Sequence, residues 1–197
     1  MAEMTPLLHA VAGLPELTAL SHALDTGQGP VTVTGLSPVH RAIIAAALYQ
    51  AARRPVTVLC ADDGEARRMA SDLRALTGAE PAMLLAREWR LREGVSASHE
   101  EDHRRLAALC AMNAGKAPLL VATVEGAMQR TLSPSALSDA SLALTPGARG
   151  GPVALTRQLE ASGYVRSAQV EGAGQYAVRG GIVDVWPPLS NPARATT

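Results

Sequence analysis

The chain has 197 residues, 47% of them hydrophobic, and 18 basic residues balance 18 acidic ones. This length and composition allow one large or two small globular domains, and the balanced charge excludes a protein that adheres to nucleic acid through its net charge. Cys60 and Cys110 cannot build a disulfide framework or a four-ligand zinc site. The longest strictly apolar run, residues 42–49, is too short to cross a bilayer, and no basic, apolar leader precedes it. The sequence therefore predicts a cytoplasmic protein with no membrane contact.

Short apolar runs alternate with amphipathic segments from residue 29 onward, which is the pattern of a parallel sheet flanked by helices. The runs that are apolar on both faces are predicted as buried parallel strands: residues 31–34, 56–60, 82–85 and 119–122. Three helices are predicted between these strands. The first begins after Ser37 and runs to about residue 52, the second lies between residue 62 and Gly78, and the third leads from Ser98 toward Gly115.

The pattern changes after about residue 138. Short strand-like runs and one helix then follow one another, separated by glycines: strands at 142–144, 165–170, 175–178 and 182–186, and a helix at 152–162. This arrangement predicts two domains. Residues 1–138 form an α/β domain, and residues 139–197 form a small α+β domain rich in antiparallel strand pairs.

The segment 34–41 follows the first predicted strand, where a nucleotide-binding α/β domain carries its phosphate loop. Such a loop needs several glycines whose backbone N–H groups wrap the phosphates, a lysine, and a hydroxyl for magnesium. Here Gly35 and Ser37 remain, Pro38 removes a backbone donor, and Arg41 stands in the following helix. We interpret Ser37 as a helix cap and do not expect Gly35, Ser37 or Arg41 to bind nucleotide.

Two other motifs imitate catalytic signatures. Residues 99–103, His-Glu-Glu-Asp-His, match the H-E-x-x-H pattern of zinc proteases, but the surrounding Asp102, Arg104 and Arg105 indicate a solvated helix start. Residues 172–177, Gly-Ala-Gly-Gln-Tyr-Ala, imitate a dinucleotide fingerprint, but a strand and not a helix follows them. We therefore predict neither catalytic residues nor a metal site in this chain.

A glycine-rich hairpin is predicted at residues 174–187, with the sequence Gly-Gln-Tyr-Ala-Val-Arg-Gly-Gly-Ile-Val-Asp-Val-Trp-Pro. Two alternating strands are joined through Gly180 and Gly181, so that Arg179 projects with little around it and can pair with carboxylates. This segment resembles one shared by transcription-repair coupling factors and the excision-repair protein UvrB. Other stretches resemble the N-terminal region of the coupling factors in the same order: residues 13–15, Trp89, and residues 103–109, 121–130 and 155–164.

The degraded phosphate loop favours the coupling-factor family over UvrB, which carries an intact one. The resemblance implies a degenerate RecA/helicase-like parallel sheet with helices on both faces, followed by a domain that binds UvrA. It also implies that the UvrA-binding surface includes Arg179 and, through a weaker match after Pro192, Arg194. We predict Gly180 and Tyr176 as further members of this surface.

The resemblance further implies an adaptor that recruits UvrA to stalled RNA polymerase in nucleotide excision repair. In the family, ATP hydrolysis with magnesium, translocation on double-stranded DNA and polymerase binding belong to other domains, so we expect no cofactor for this chain. The alternative is an ATP-dependent, helicase-like repair protein of the UvrB type.

Overall fold

The structure, a computed structural model, describes residues 5–51, 55–87, 99–142 and 151–187. The chain divides into two compact units, residues 1–129 and residues 130–197. This division falls before the short helix Pro134–Asp139, whereas the sequence places the domain boundary near the end of that helix, after residue 138. No described helix is long and apolar enough to span a membrane.

The first unit is built on a parallel three-stranded sheet. Its elements are α1 (Thr5–Ala12), α2 (Pro15–Asp25), α3 (Pro38–Ala51), β1 (Val56–Cys60), α4 (Asp63–Thr77), β2 (Ala82–Leu84), α5 (His99–Asn113), β3 (Leu119–Thr123) and α6 (Val124–Met128). Val121 of the central strand is in register with Val58 on one side and Met83 on the other. Every residue of β3 is buried, as expected of a central parallel strand.

Helices cover both faces of this sheet, which confirms the predicted α/β class. Because successive side chains of a strand point to opposite faces, Leu119 and Val121 pack against buried residues of α3 and α4, to which α1 and α2 add Leu8 and Leu17. Leu120 and Ala122 face the other way and pack with Leu84 and with Ala108 of α5.

Helix α4 follows the predicted signals closely. Asp62 caps it by accepting a hydrogen bond from the Glu65 N–H at 2.8 Å, and Gly78 ends it in the left-handed conformation, at a φ of 70°. The apolar stripe on its inner face is buried: Ala66, Met69, Ala70, Leu73 and Leu76. Cys60, at the end of the preceding strand, is also buried, whereas Cys110 is only half-buried.

The strand predicted at residues 31–34 is wrong. The segment forms no ladder with any described strand, and Val31 and Val33 are 42% and 49% exposed. An apolar run becomes a strand only when a neighbouring strand satisfies its backbone N–H and C=O groups. Sequence patterning also missed α1 and α2, which bury Leu8 and Leu17 in the core.

The second unit combines helices with a small mixed sheet, in agreement with the predicted α+β organisation. Its elements are α7 (Pro134–Asp139), α8 (Pro152–Ala161), β4 (Val165–Arg166), β5 (Gln175–Arg179) and β6 (Ile182–Trp186). Strand β5 pairs in parallel with β4 and antiparallel with β6. The strand predicted at 165–170 stops at Arg166, and most of the strand predicted at 142–144 lies outside the described residues.

Candidate functional site

The β5–β6 hairpin places Arg179 at the end of a strand, beside a two-glycine turn. Arg179 pairs with Ile182 across the hairpin, and Gly180 between them has a φ of 60°. A side chain disfavours this left-handed conformation, so glycine suits the turn. The sequence therefore fixes both the turn and the position of the arginine that precedes it.

The inner face of the hairpin is held by Tyr176, which is fully buried. Its hydroxyl donates a hydrogen bond to Glu160 Oε1 of α8 at 2.6 Å. This hydrogen bond to Glu160, together with burial and the nearby carboxylate charge, raises the pKa of Tyr176 above its ordinary value. Tyr176 thus supports the hairpin from beneath, and its ring does not lie at the surface.

The outer face of the same hairpin carries Arg179, Asp184 and Ile182, because residues paired across an antiparallel ladder point to the same side. Arg179 Nη2 lies 2.5 Å from Asp184 Oδ2, and the two side chains are 66% and 40% exposed. This ion pair is therefore in contact with water, and much of the guanidinium remains accessible to another molecule.

Two exposed apolar side chains lie on this outer face and were missed by the sequence analysis. Ile182 is 65% exposed, and Val165 of β4, which is in register with Gln175, is 64% exposed. Strand alternation carries the signal, since Ile182 directly opposes Arg179 and must share its face. The core of a protein interface is more apolar than its rim, and arginine is enriched at interfaces.

The predicted site residues therefore occupy different positions in the second unit. Arg179 and Gly180 lie at the exposed end of the hairpin, and Tyr176 lies in the core behind it. Arg194 lies outside the described residues. The assignment of these residues to a partner surface stays a prediction.

The degenerate phosphate loop contains a helix cap and an ion pair. Ser37 Oγ accepts a hydrogen bond from the His40 N–H at 3.4 Å, which supports its interpretation as a cap. Arg41 Nη1 lies 3.0 Å from Glu65 Oε1, and Glu65 Oε2 accepts a hydrogen bond from the Ala61 N–H at 2.9 Å. The cation next to this loop is thus already paired with a carboxylate that would repel phosphate.

The buried thiol of Cys60 lies near the same carboxylates. Burial raises its pKa above the ordinary value, Glu65 and Asp62 raise it further, and Arg41 opposes the shift. A raised pKa keeps the sulfur protonated, and the thiolate is the form that reacts with electrophiles and binds metals. Within the described parts of the chain, no group of three or more His, Cys, Asp or Glu side chains is arranged to hold a metal ion.

Arg105 corrects the interpretation of its segment as a fully solvated helix start. Its side chain is buried and donates hydrogen bonds to the main-chain oxygens of Leu85, at 2.6 Å, and Gly126, at 2.9 Å. Burial lowers its pKa and so does the charge of Arg87, whereas Asp102 opposes the shift. Arg105 therefore joins the loop after β2 to helix α6 at the carboxyl edge of the sheet.

The carboxyl edge of a parallel sheet is the usual ligand site of an α/β fold, but in this unit part of it is filled by close main-chain packing. Thr123 caps α6 by accepting a hydrogen bond from the Gly126 N–H at 3.1 Å. A Cβ atom at Gly126 would lie 2.5 Å from the main-chain oxygen of Leu84, closer than real Cβ contacts. Only glycine fits there without displacement of the neighbouring backbone.

Comparison with known proteins identifies relatives of both units. Residues 142–196 match the UvrB interaction domain family. The chain is 29% identical over 182 residues, 91% of its length, to the transcription-repair-coupling factor of Bacillus subtilis (strain 168). It is 29% identical over 167 residues, 81% of its length, to the factor of Myxococcus xanthus. These alignments span 15% and 14% of the two relatives, so the chain corresponds to a small part of each.

Proposed function

We propose that this chain, a relative of the transcription-repair-coupling factors over most of its length, is a noncatalytic adaptor that recruits UvrA in nucleotide excision repair. The observation that carries the proposal is the exposed Arg179, placed at the end of a hairpin strand inside the segment that matches the UvrB interaction domain family. Such an arginine can form charge-assisted, bidentate hydrogen bonds with carboxylates of a partner. The relatives support a role in transcription-repair coupling, and UvrA is the partner that we propose for this surface.

The outer face of the hairpin suits a partner surface that is acidic and partly apolar. Arg179 supplies a positive charge that attracts carboxylates, and Ile182 and Val165 supply apolar area beside it. At interfaces, a few residues, often including an arginine, contribute most of the binding free energy, and their neighbours exclude water. Tyr176 and Gly180 contribute indirectly in this proposal, because they fix the hairpin that presents Arg179.

Binding to purified UvrA tests the proposal directly. Arg179→Ala is expected to weaken binding by about 1–3 kcal/mol, as truncation of a charged hydrogen-bonding partner at an interface does. Arg166→Ala is the matched control, since Arg166 is an exposed arginine of the same sheet whose register with Tyr176 places it on the opposite face. Calorimetry or biolayer interferometry measures both variants. Absence of binding by the unmodified chain, or equal losses in the two variants, contradicts the proposal.

We also propose that this chain uses no nucleotide cofactor. The paired Arg41, the capping role of Ser37 and the missing donor at Pro38 support this proposal over a UvrB-type, ATP-dependent function. Calorimetric titration with ATP and magnesium is expected to give no saturation below millimolar concentrations, and micromolar affinity would favour the alternative. Contacts with RNA polymerase and double-stranded DNA are proposed for other parts of the coupling factors, on the resemblance alone.

A further inference from the structure

We propose that Asp184 is a positioning residue that orders Arg179 before a partner binds. This inference rests on the proposed function, in which Arg179 contacts an acidic partner. It assigns Asp184 a role in recognition that is distinct from any role in folding, and it predicts that the two residues act as one unit.

The hairpin geometry places Asp184 within reach of Arg179, and strands β5 and β6 contain no other cationic residue. Asp184 lies directly opposite Ala177, whose methyl group offers no hydrogen bond, and Arg179 is the diagonal neighbour on the same face. Diagonal neighbours in an antiparallel pair are within reach of long side chains. The resulting contact joins Arg179 Nη2 to Asp184 Oδ2 at 2.5 Å.

This contact leaves most of the guanidinium available. Asp184 engages one terminal nitrogen, whereas a guanidinium carries N–H donors on all of its nitrogens in a fixed planar arrangement. The Arg179 side chain remains 66% exposed. A partner carboxylate can therefore bind the remaining donors without displacing Asp184. For the pair to favour binding, the ordering of Arg179 must outweigh the repulsion between the two carboxylates.

Ordering Arg179 in advance has a measurable consequence for affinity. Immobilising one flexible side chain at an interface weakens association by a factor of about 2 to 12 when that order must be created on binding. Because the pair is exposed to water, it contributes little to folding. Loss of Asp184 should therefore reduce affinity for the partner without unfolding the second unit.

A double-mutant cycle on UvrA binding tests the inference. Asp184→Ala is expected to weaken binding about 2- to 12-fold, Asp184→Asn less, and Glu171→Gln, an exposed acidic residue outside the hairpin, not at all. In an Arg179→Lys background, Asp184→Ala should have a much smaller effect, since lysine lacks the planar fork. Unchanged or tighter binding by Asp184→Ala, or an equal loss in both backgrounds, overturns the inference.

A second measurement separates this inference from the proposed function. The ¹⁵N relaxation of Arg179 Nε in the chain alone should show an ordered side chain, and Asp184→Ala should make it mobile on the nanosecond timescale. If the unmodified chain does not bind UvrA, the proposed partner is wrong, while the relaxation result still decides whether Asp184 orders Arg179. A mobile Arg179 in the unmodified chain overturns the inference.

Discussion

Arg105 in the first unit and Arg179 in the second carry the same guanidinium group in opposite surroundings. Arg105 is buried and donates to main-chain oxygens of the loop after β2 and of helix α6, whereas Arg179 is 66% exposed and meets one carboxylate of its own hairpin. The first arginine is satisfied within the fold, and the second retains hydrogen-bonding capacity for another molecule. The contrast separates an arginine that maintains structure from one that is available for recognition.

The same contrast extends to the larger surroundings of the two residues. At the first unit's degenerate phosphate loop, the cation Arg41 is paired with Glu65, and at its sheet edge Gly126 packs against main chain. At the second unit's hairpin, exposed apolar side chains lie beside the exposed charge. The first region resembles a ligand site in topology, but its cation is paired and its sheet edge is filled by main-chain packing. The hairpin, in contrast, exposes a charged side chain and apolar side chains together, as a binding surface does.

Removal of Arg105 is expected to destabilise the first unit more than any other change proposed below. Arg105→Ala leaves the oxygens of Leu85 and Gly126 without this donor and should lower the free energy of unfolding of the first unit by about 2–4 kcal/mol. Urea denaturation, with hydrogen exchange of the β3 amides to identify the unit, measures the loss. Arg104→Ala, an exposed neighbour on the same helix, should cost less than about 1 kcal/mol. Equal losses in the two variants would show that the buried Arg105 stabilises the fold no more than an exposed arginine does.

A smaller loss is expected when Gly126 acquires a side chain. Gly126→Ala forces the backbone near Leu84 to move and should destabilise the first unit by about 1–3 kcal/mol, as overpacking does. Gly13→Ala is the matched control, because a Cβ there meets its nearest atom at an ordinary 3.5 Å. Thermal unfolding of both variants measures the difference, and a neutral Gly126→Ala would show that the sheet edge is loosely packed.

Arg179→Ala should change the stability of the second unit by less than about 1 kcal/mol, because its ion pair with Asp184 is exposed to water. The same urea denaturation used for Arg105 measures this value. One arginine should therefore matter for unfolding and the other for binding. A stability loss as large as that of Arg105→Ala would make Arg179 a structural residue.

A weaker effect is expected on stability at alkaline pH, with no change near neutrality. The pKa of Tyr176 is raised, chiefly by its hydrogen bond to Glu160, and burial raises the pKa of Tyr164. The folded state then retains phenol protons that the unfolded state releases from about pH 10, so stability should fall as the pH rises above that value. Denaturation at several alkaline pH values checks this sign. Tyr164→Phe should reduce the slope, and a rise in stability above pH 10 would refute the assignment.

Sequence patterning located the elements whose signals are local. The N-cap Asp62 and the C-cap Gly78 defined the two ends of α4. The glycine turn between alternating strands defined the hairpin with Arg179 at its end. These features depend on neighbouring residues, so a single sequence contains them. The family resemblance, and not patterning, connected the hairpin to UvrA.

The features that sequence analysis missed depend on residues distant in the chain. The burial of Arg105 requires main-chain oxygens 20 and 21 positions away, and the pairing of Arg41 requires Glu65, 24 positions away. The apolar run at 31–34 resembles a strand locally but has no described neighbour to pair with. Patterning detects which residues prefer burial, and only the folded chain shows what each of them meets.

The register of the β5–β6 hairpin decides which side chains the second unit shows to its surroundings. Tyr176 and Arg179 are three positions apart, so they point to opposite faces. A shift of β5 by one residue would bring Arg179 toward the core and expose Tyr176. The Tyr176–Glu160 hydrogen bond and the Gly180 turn oppose this shift from the two ends of the strand. An error in pairing would therefore remove Arg179 from the outer face and expose core residues that favour aggregation.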